Sequence, residues 1–365
     1  MGTHGEGPYA GAVRVPRAPR SRRRPLRWAV AAFVVVLCTV IGTTEAGADG
    51  ARPSNYESVI DSVRPDLDTV QIEVVGGDAF VQVTAEPGTE VLIPGYDGEP
   101  YLRIDADGTV FRNRRSSATY MNESRSGSTG DLPAVVDSSA DPVWDPIGDG
   151  GRVAWHDHRI HWMLDTAPET DDGVVQPWVV PITVDGTEVQ VSGRLLHHPD
   201  QFPWPALVGV AVAAVVAWQA RRELTRTVLL AAAATAALAS SVSWYVSNPP
   251  GASASLLPIV VPLVALVAVL VARATPPVVR HLALPLAAVA SLIGWFVERV
   301  GVLWMPTLPT VLPDVVERLL TTTVAGIAAG VAIAILLRPY PVDASGQGAS
   351  TRRSSGSQSS TPPRS

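Results

Sequence analysis

Five of the seven histidines fall between residues 156 and 198: His156, His158, His161, His197 and His198. On an extended strand His156 and His158 share a face, which lets two imidazoles reach one ion. His161 joins them if the chain bulges or turns after Arg159, and His197 arrives from a later strand. Met121 and Met163 are near enough in sequence to add thioether sulfur. Imidazole suits zinc or copper, and a thioether tilts the choice toward copper(I). A copper site, or less readily a zinc site, built from His156, His158, His161, His197 and Met163 is therefore one expectation. The competing expectation is structural. Trp155, Trp162 and Met163 bracket the same segment like a packed core strand, whose histidines bond to backbone or to Asp157. The sequence favours this second reading, with Trp155 and Trp162 available to a partner.

Arg112, Arg114 and Arg115 form the only basic patch of the region, beside Tyr120 and Asn122. Forked guanidinium groups bind carboxylate or phosphate, so an anionic envelope polymer or the acidic face of another envelope protein is a candidate partner. Surface arginines more often neutralise nearby aspartates. Enzyme chemistry is not expected. His156-x-His158-x-x-His161 has the histidine spacing of metallo-β-lactamase-like hydrolases, but Ile160 stands where those place an aspartate. Asp157 and Glu188 make no recognisable carboxylate pair. No serine occupies a nucleophile elbow, and no glycine-rich phosphate loop opens a helix.

The elements that must position these residues read as β-structure. Between Asp68 and His198 apolar and polar residues alternate with period two, punctuated by Gly, Pro and Asp. Val70–Val74 and Phe80–Val83 flank Gly76-Gly77, while Asp105-Ala106-Asp107-Gly108 and Asp185-Gly186 mark further hairpins. Ser54–Val63 is expected to be a short leading helix, and residues 116–150 a long Ser/Gly/Asp-rich loop. The fold class expected is an all-β domain over 49–203, sandwich-like with two small sheets.

Gly95-Tyr96-Asp97-Gly98-Glu99-Pro100-Tyr101-Leu102-Arg103-Ile104, Asn113-Arg114-Arg115-Ser116, Tyr120-Met121-Asn122 and Trp155-His156-Asp157-His158-Arg159-Ile160-His161-Trp162-Met163 carry a resemblance. They resemble segments of an uncharacterised family of membrane proteins from high-GC Gram-positive bacteria. Ser117 departs from the Pro or Ala usual there. The resemblance implies an exported β-rich domain followed by a helical membrane domain, and no activity.

Five apolar runs follow: 204–220, 227–246, 256–272, 282–304 and 319–337. Each is near the roughly 17–25 residues that a transmembrane helix needs, so an all-α bundle of five spans is expected. Arg221, Arg222 and Arg226 occupy one gap, Arg273 and Arg280 another, and Arg338 follows the last run. The gaps Ser247–Ser255 and Met305–Glu317 hold no basic residue, though Arg318 borders the second. Cytoplasmic loops collect positive charge. The alternation thus places 49–203 outside the cytoplasmic membrane and the Ser/Gly/Arg-rich tail, 339–365, disordered in the cytoplasm. Residues 1–48 have the layout of a signal peptide or signal anchor, with seven arginines before residue 28 and a small-x-small site at Ala46–Ala48.

Residues 49–203 carry 27 acids against ten arginines, which argues against nucleic acid as a partner. The one cysteine, Cys38, leaves that region without an internal disulfide. Within the runs, Glu298 and Arg299 are the only charges, and a snorkelling or locally paired role is expected for them. The function expected is that of a non-enzymatic, multi-pass membrane protein presenting a β-rich binding or envelope-organising domain. Metal handling is the alternative, with lipid as the surrounding partner in both cases.

Overall fold

A computed structural model of the chain describes residues 48–123, 131–164, 172–276 and 279–337. The signal segment, apart from Ala48, and the C-terminal tail lie outside the described residues. The N-terminal half is β-rich. A short β1 (Ala48–Asp49) leads to β2 (Tyr56–Arg64), β3 (Val70–Val75), β4 (Phe80–Ala85), β5 (Val91–Pro94), β6 (Pro100–Ile104) and β7 (Val110–Asn113). The one-turn helix α1 (Ala118–Met121) precedes β8 (Trp144–Gly148), β9 (Arg152–Trp155), β10 (Val174–Val184) and β11 (Thr187–His197).

Two antiparallel sheets result, one of seven strands in the order β2-β11-β10-β5-β6-β7-β8 and one of three, β3-β4-β9. The hairpins form where glycine permits a positive φ: Val184 pairs with Thr187 across Asp185-Gly186, at φ 46° and 79°. Alternation then sorts the faces. Val180, Ile182 and Val184 of β10, Val189 and Val191 of β11, and Val81 and Val83 of β4 enter one core shared by both sheets. Each such side chain contributes roughly 1.5–3 kcal/mol by burial.

Two expectations are corrected here. Tyr56–Arg64 is a nine-residue strand, not a helix, because β11 is long enough to pair with it from Gln190 to His197. Its alternation is imperfect, and a neighbouring strand edge decides what local pattern leaves open. The loop expected over 116–150 holds α1 and β8, and β8 extends the large sheet through Arg112–Asp145 and Asn113–Trp144.

The second half is helical: α2 (Trp204–Gln219), α3 (Glu223–Val246), the two-residue β12 (Ala252–Ser253), α4 (Leu257–Val271), a π-helical turn Val279–Ala283 running into α5 (Leu284–Val297), and α6 (Asp314–Leu336). Among the described residues three helices, Glu223–Val246, Val279–Val297 and Asp314–Leu336, are long and apolar enough to cross a membrane. The other two apolar helices, α2 and α4, have 16 and 15 residues, so each spans only about 23 Å of a hydrocarbon layer near 30 Å thick.

The packing uses the small residues of the last run. A Cβ on Gly326 would lie 2.4 Å from the Gly209 carbonyl oxygen, and one on Gly330 2.6 Å from that of Ala213, so α2 and α6 touch backbone to backbone. Pro262 interrupts α4 and cannot donate to the Pro258 carbonyl. Ser241 of α3 does so instead, Oγ to oxygen 2.6 Å.

Candidate functional site

The histidine segment begins where β9 ends. Trp155 is the last strand residue, so His156 and His158 do not share a strand face. Asp157 bends the chain: its carboxylate accepts from Arg159 N–H at 3.0 Å, and its carbonyl accepts from Ile160 N–H at 3.0 Å. His156 turns inward, stacked on Phe80 at 4.3 Å, with Nδ1 2.6 Å from the Ala79 carbonyl. His161 lies beside it, ring centroids 5.7 Å apart, its Nδ1 3.3 Å from Asp78 Oδ2. Both rings are buried. His158 stacks on Tyr96 at 5.8 Å, and its ring stands 6.4 Å from that of His161.

The remaining metal candidates stay apart from these. His197 packs on Tyr56 at 5.2 Å, His198 Nε2 meets Glu57 at 2.8 Å, and Met163 is exposed. Among the described residues no three His, Cys, Asp or Glu side chains gather in a metal-holding group. The premise of two imidazoles side by side on a strand is thus corrected, because Asp157 ends the strand first.

What the segment does build is a polar network. The Tyr96 hydroxyl donates to Asn122 Oδ1 at 2.6 Å and accepts from His158 N–H at 2.9 Å. Burial, reinforced by the Asp157 carboxylate, pushes the Tyr96 phenol well above its ordinary value, and burial pushes Tyr101 up to about 12. Both therefore remain hydrogen-bond donors at physiological pH. Asp157 is buried, which alone would favour its neutral form. Bonds from Arg159 (2.6 and 2.7 Å), the charge of that guanidinium and the Trp155 indole N–H (2.9 Å) outweigh burial and hold it below the usual carboxylate range.

Buried Glu99 folds back over Gly95, accepting from Asp97 N–H at 3.0 Å and from the Ser116 hydroxyl. Asn113 ties Pro100, Arg115 and Val143 together. The four segments Gly95–Ile104, Asn113–Ser116, Tyr120–Asn122 and Trp155–Met163 thus bond to one another at one end of the core.

This accounts for most of the residues expected to bind a partner. Arg114 Nε lies 3.4 Å from Asp145, and Arg115 donates to the Asp141 carbonyl at 3.0 Å, so both hold the 137–145 segment. Tyr120 donates to the Arg114 carbonyl, Asn122 and Trp155 are buried, and Trp162 packs against the core. Arg112 is half-buried on β7. These seven side chains do not form one exposed surface.

In the helical half, Arg299 is buried rather than snorkelling, its guanidinium between the Trp244 and Trp295 rings at 4.5 and 4.7 Å. Glu298 is exposed. The sequence reading missed the group facing Arg299: Glu317, fully buried, accepts from Ser240 at 2.5 Å and Thr321 at 3.3 Å. Arg299 and Glu317 form no ion pair, and Arg299 Nε, Glu317 Oε2 and Trp244 Nε1 are buried without a hydrogen-bond partner among the described residues. The signal was present in Ser240-Ser241-x-Ser243, a hydroxyl cluster inside an apolar run.

The two halves meet through the loops that lack arginine. Ser54 and Thr307 exchange backbone hydrogen bonds of 3.0 and 3.1 Å, Ala51 N–H donates to Asn248 Oδ1 at 2.8 Å, and β1 pairs with β12. Gln201 N–H reaches the Trp304 carbonyl at 2.8 Å. At the opposite ends of the helices, Glu223 meets Arg280 at 2.9 Å and His281 at 3.2 Å. No protein-family model matches this chain, and no curated protein or solved structure matches it either.

Proposed function

We propose that this chain is a multi-pass protein of the cytoplasmic membrane, holding a sandwich-like β-domain outside the cell as a binding or envelope-organising module. One observation carries the placement. Both loops without basic residues are bonded to the β-domain, whereas Arg221, Arg222, Arg226 and Arg280 cluster at the far ends of the helices. Positive charge stays on the cytoplasmic side, so the β-domain is external. The five helices, α2 to α6, alternate between these two ends, which supports five crossings. The short α2 and α4 cross by local thinning of the bilayer or by burial against neighbours.

The binding role rests on the rigid attachment of the domain to the membrane surface. Its histidines and Tyr96 network act as scaffold, since their polar groups mostly bond within the protein. Proteolysis tests the placement: protease added to spheroplasts should digest 49–203. Protection of that region would defeat the proposal.

A further inference from the structure

The junction between the two halves contains a cleft of about 570 Å³. Ligand pockets of 300–1,000 Å³ occur preferentially at such domain interfaces. One wall is the face of the three-stranded sheet turned away from the core, where Glu73, Gln82 and Arg152 project. The other consists of Ser247, Asn248, Pro249 and Pro250 with Leu308–Val311. That second wall bears no charge.

Two charges therefore face the cleft, and they do not pair with each other. Glu73 lies opposite Gln82, and Arg152 sits two residues beyond Ala154, the next residue in that row. Strand spacing and rise put their Cα atoms about 12 Å apart. Glu73 Oε1 accepts from Gln82 at 2.5 Å, which fixes the carboxylate. The Arg152 side chain is exposed, and no carboxylate among the described residues engages its guanidinium. At the rim Val246 and Val311 are 56% and 62% exposed, and exposed Tyr245 adjoins Val246 at the end of α3, so apolar surface continues from the cleft toward the helices.

We propose that this cleft binds the zwitterionic headgroup of a membrane phospholipid. Arg152 takes the phosphate, Glu73 takes the ammonium, and Val246 and Val311 receive the start of the acyl chains. A guanidinium forks onto phosphate oxygens, and a carboxylate accepts from a primary ammonium. Glu73 disfavours a purely anionic headgroup, and the exposed valines favour a lipid over the free headgroup. The assignment rests on the external placement proposed above, which brings the cleft to headgroup depth.

The test titrates the full-length protein in detergent micelles by calorimetry with dihexanoyl phosphatidylethanolamine, dihexanoyl phosphatidylglycerol and free phosphoethanolamine. Phosphatidylethanolamine should bind best, and Arg152→Gln should weaken it about tenfold or more, as loss of a charged hydrogen bond implies. Glu73→Gln should abolish the preference over phosphatidylglycerol. Equal binding by the native protein and both variants, or no preference among lipids, overturns the site. Free phosphoethanolamine binding as tightly as the lipid overturns the lipid assignment. Labelling of Ser138→Cys in a Cys38→Ser background by an impermeant maleimide on intact spheroplasts is run alongside. Labelling without lipid binding sinks the site alone, whereas no labelling sinks the placement on which it depends.

Discussion

Ser54 and Thr307 exchange two backbone hydrogen bonds, although one belongs to the β-domain and the other to the loop before the last helix. This bridge, with Asn248 beneath Ala51, makes the junction a bonded surface rather than a hinge. Gly77 lies against it: at φ +81°, a Cβ there would stand 2.6 Å from Thr307 Cγ2.

Gly77→Ala should therefore lower the stability of the junction by about 1–3 kcal/mol, through positive-φ strain together with that clash. Combining it with Thr307→Ser, which removes the clashing methyl, should recover part of the loss. Thermal unfolding of the two single variants and the double measures the coupling. Strict additivity would show that Thr307 does not press on Gly77.

Asp157 makes acid stability predictable. Its folded-state value is depressed, so its contribution is present above the ordinary carboxylate value of 3.8 and is lost as pH falls through the lower folded value. The β-domain should lose stability on acidification below about pH 4, and Asp157→Asn should flatten that part of the profile. Arg159→Gln, leaving a buried carboxylate with its main partner gone, should cost about 3–5 kcal/mol at neutral pH. An unchanged acid limb in Asp157→Asn would contradict this assignment.

Arg299 and Glu317 balance each other inside the helices without touching. Removing either charge leaves the other buried and uncompensated, so Arg299→Gln and Glu317→Gln should each destabilise the protein more than the double variant does. Melting in detergent of all three decides it, and a double variant as unstable as the sum of the singles would separate the two groups.

Chelation should leave the melting temperature of the purified protein unchanged, because the imidazoles of His156 and His161 are engaged with Ala79 and Asp78. Stoichiometric copper or zinc, lost on treatment with a chelator, would return the histidines to a metal role.

Much of the architecture was legible in the sequence because the signals were local. Asp185-Gly186 and Gly76-Gly77 announce their turns through φ, and the alternation in Val70–Val74 survives unchanged in β3. Among the described residues the long apolar stretches gave three helices able to cross a membrane and two shorter ones, Trp204–Gln219 and Leu257–Val271, of 16 and 15 residues. Tyr56–Arg64 was misread because its pairing with β11 lies well over a hundred residues away in sequence. The histidines misled for a related reason. Spacing assumes a strand through Asp157, and Arg159 instead captures that carboxylate and turns the chain. Glu317 was passed over because it precedes its apolar run, while the helix starts earlier, at Asp314.

The most direct measurement is the sidedness of two introduced cysteines in a Cys38→Ser background. Ser138→Cys lies on an exposed loop of the β-domain, and Leu224→Cys sits exposed beside the arginine-bearing turn before α3. A membrane-impermeant maleimide should label Ser138→Cys on intact spheroplasts and Leu224→Cys only after lysis. Labelling of Leu224→Cys on intact cells, with Ser138→Cys protected, would contradict the external placement of the β-domain.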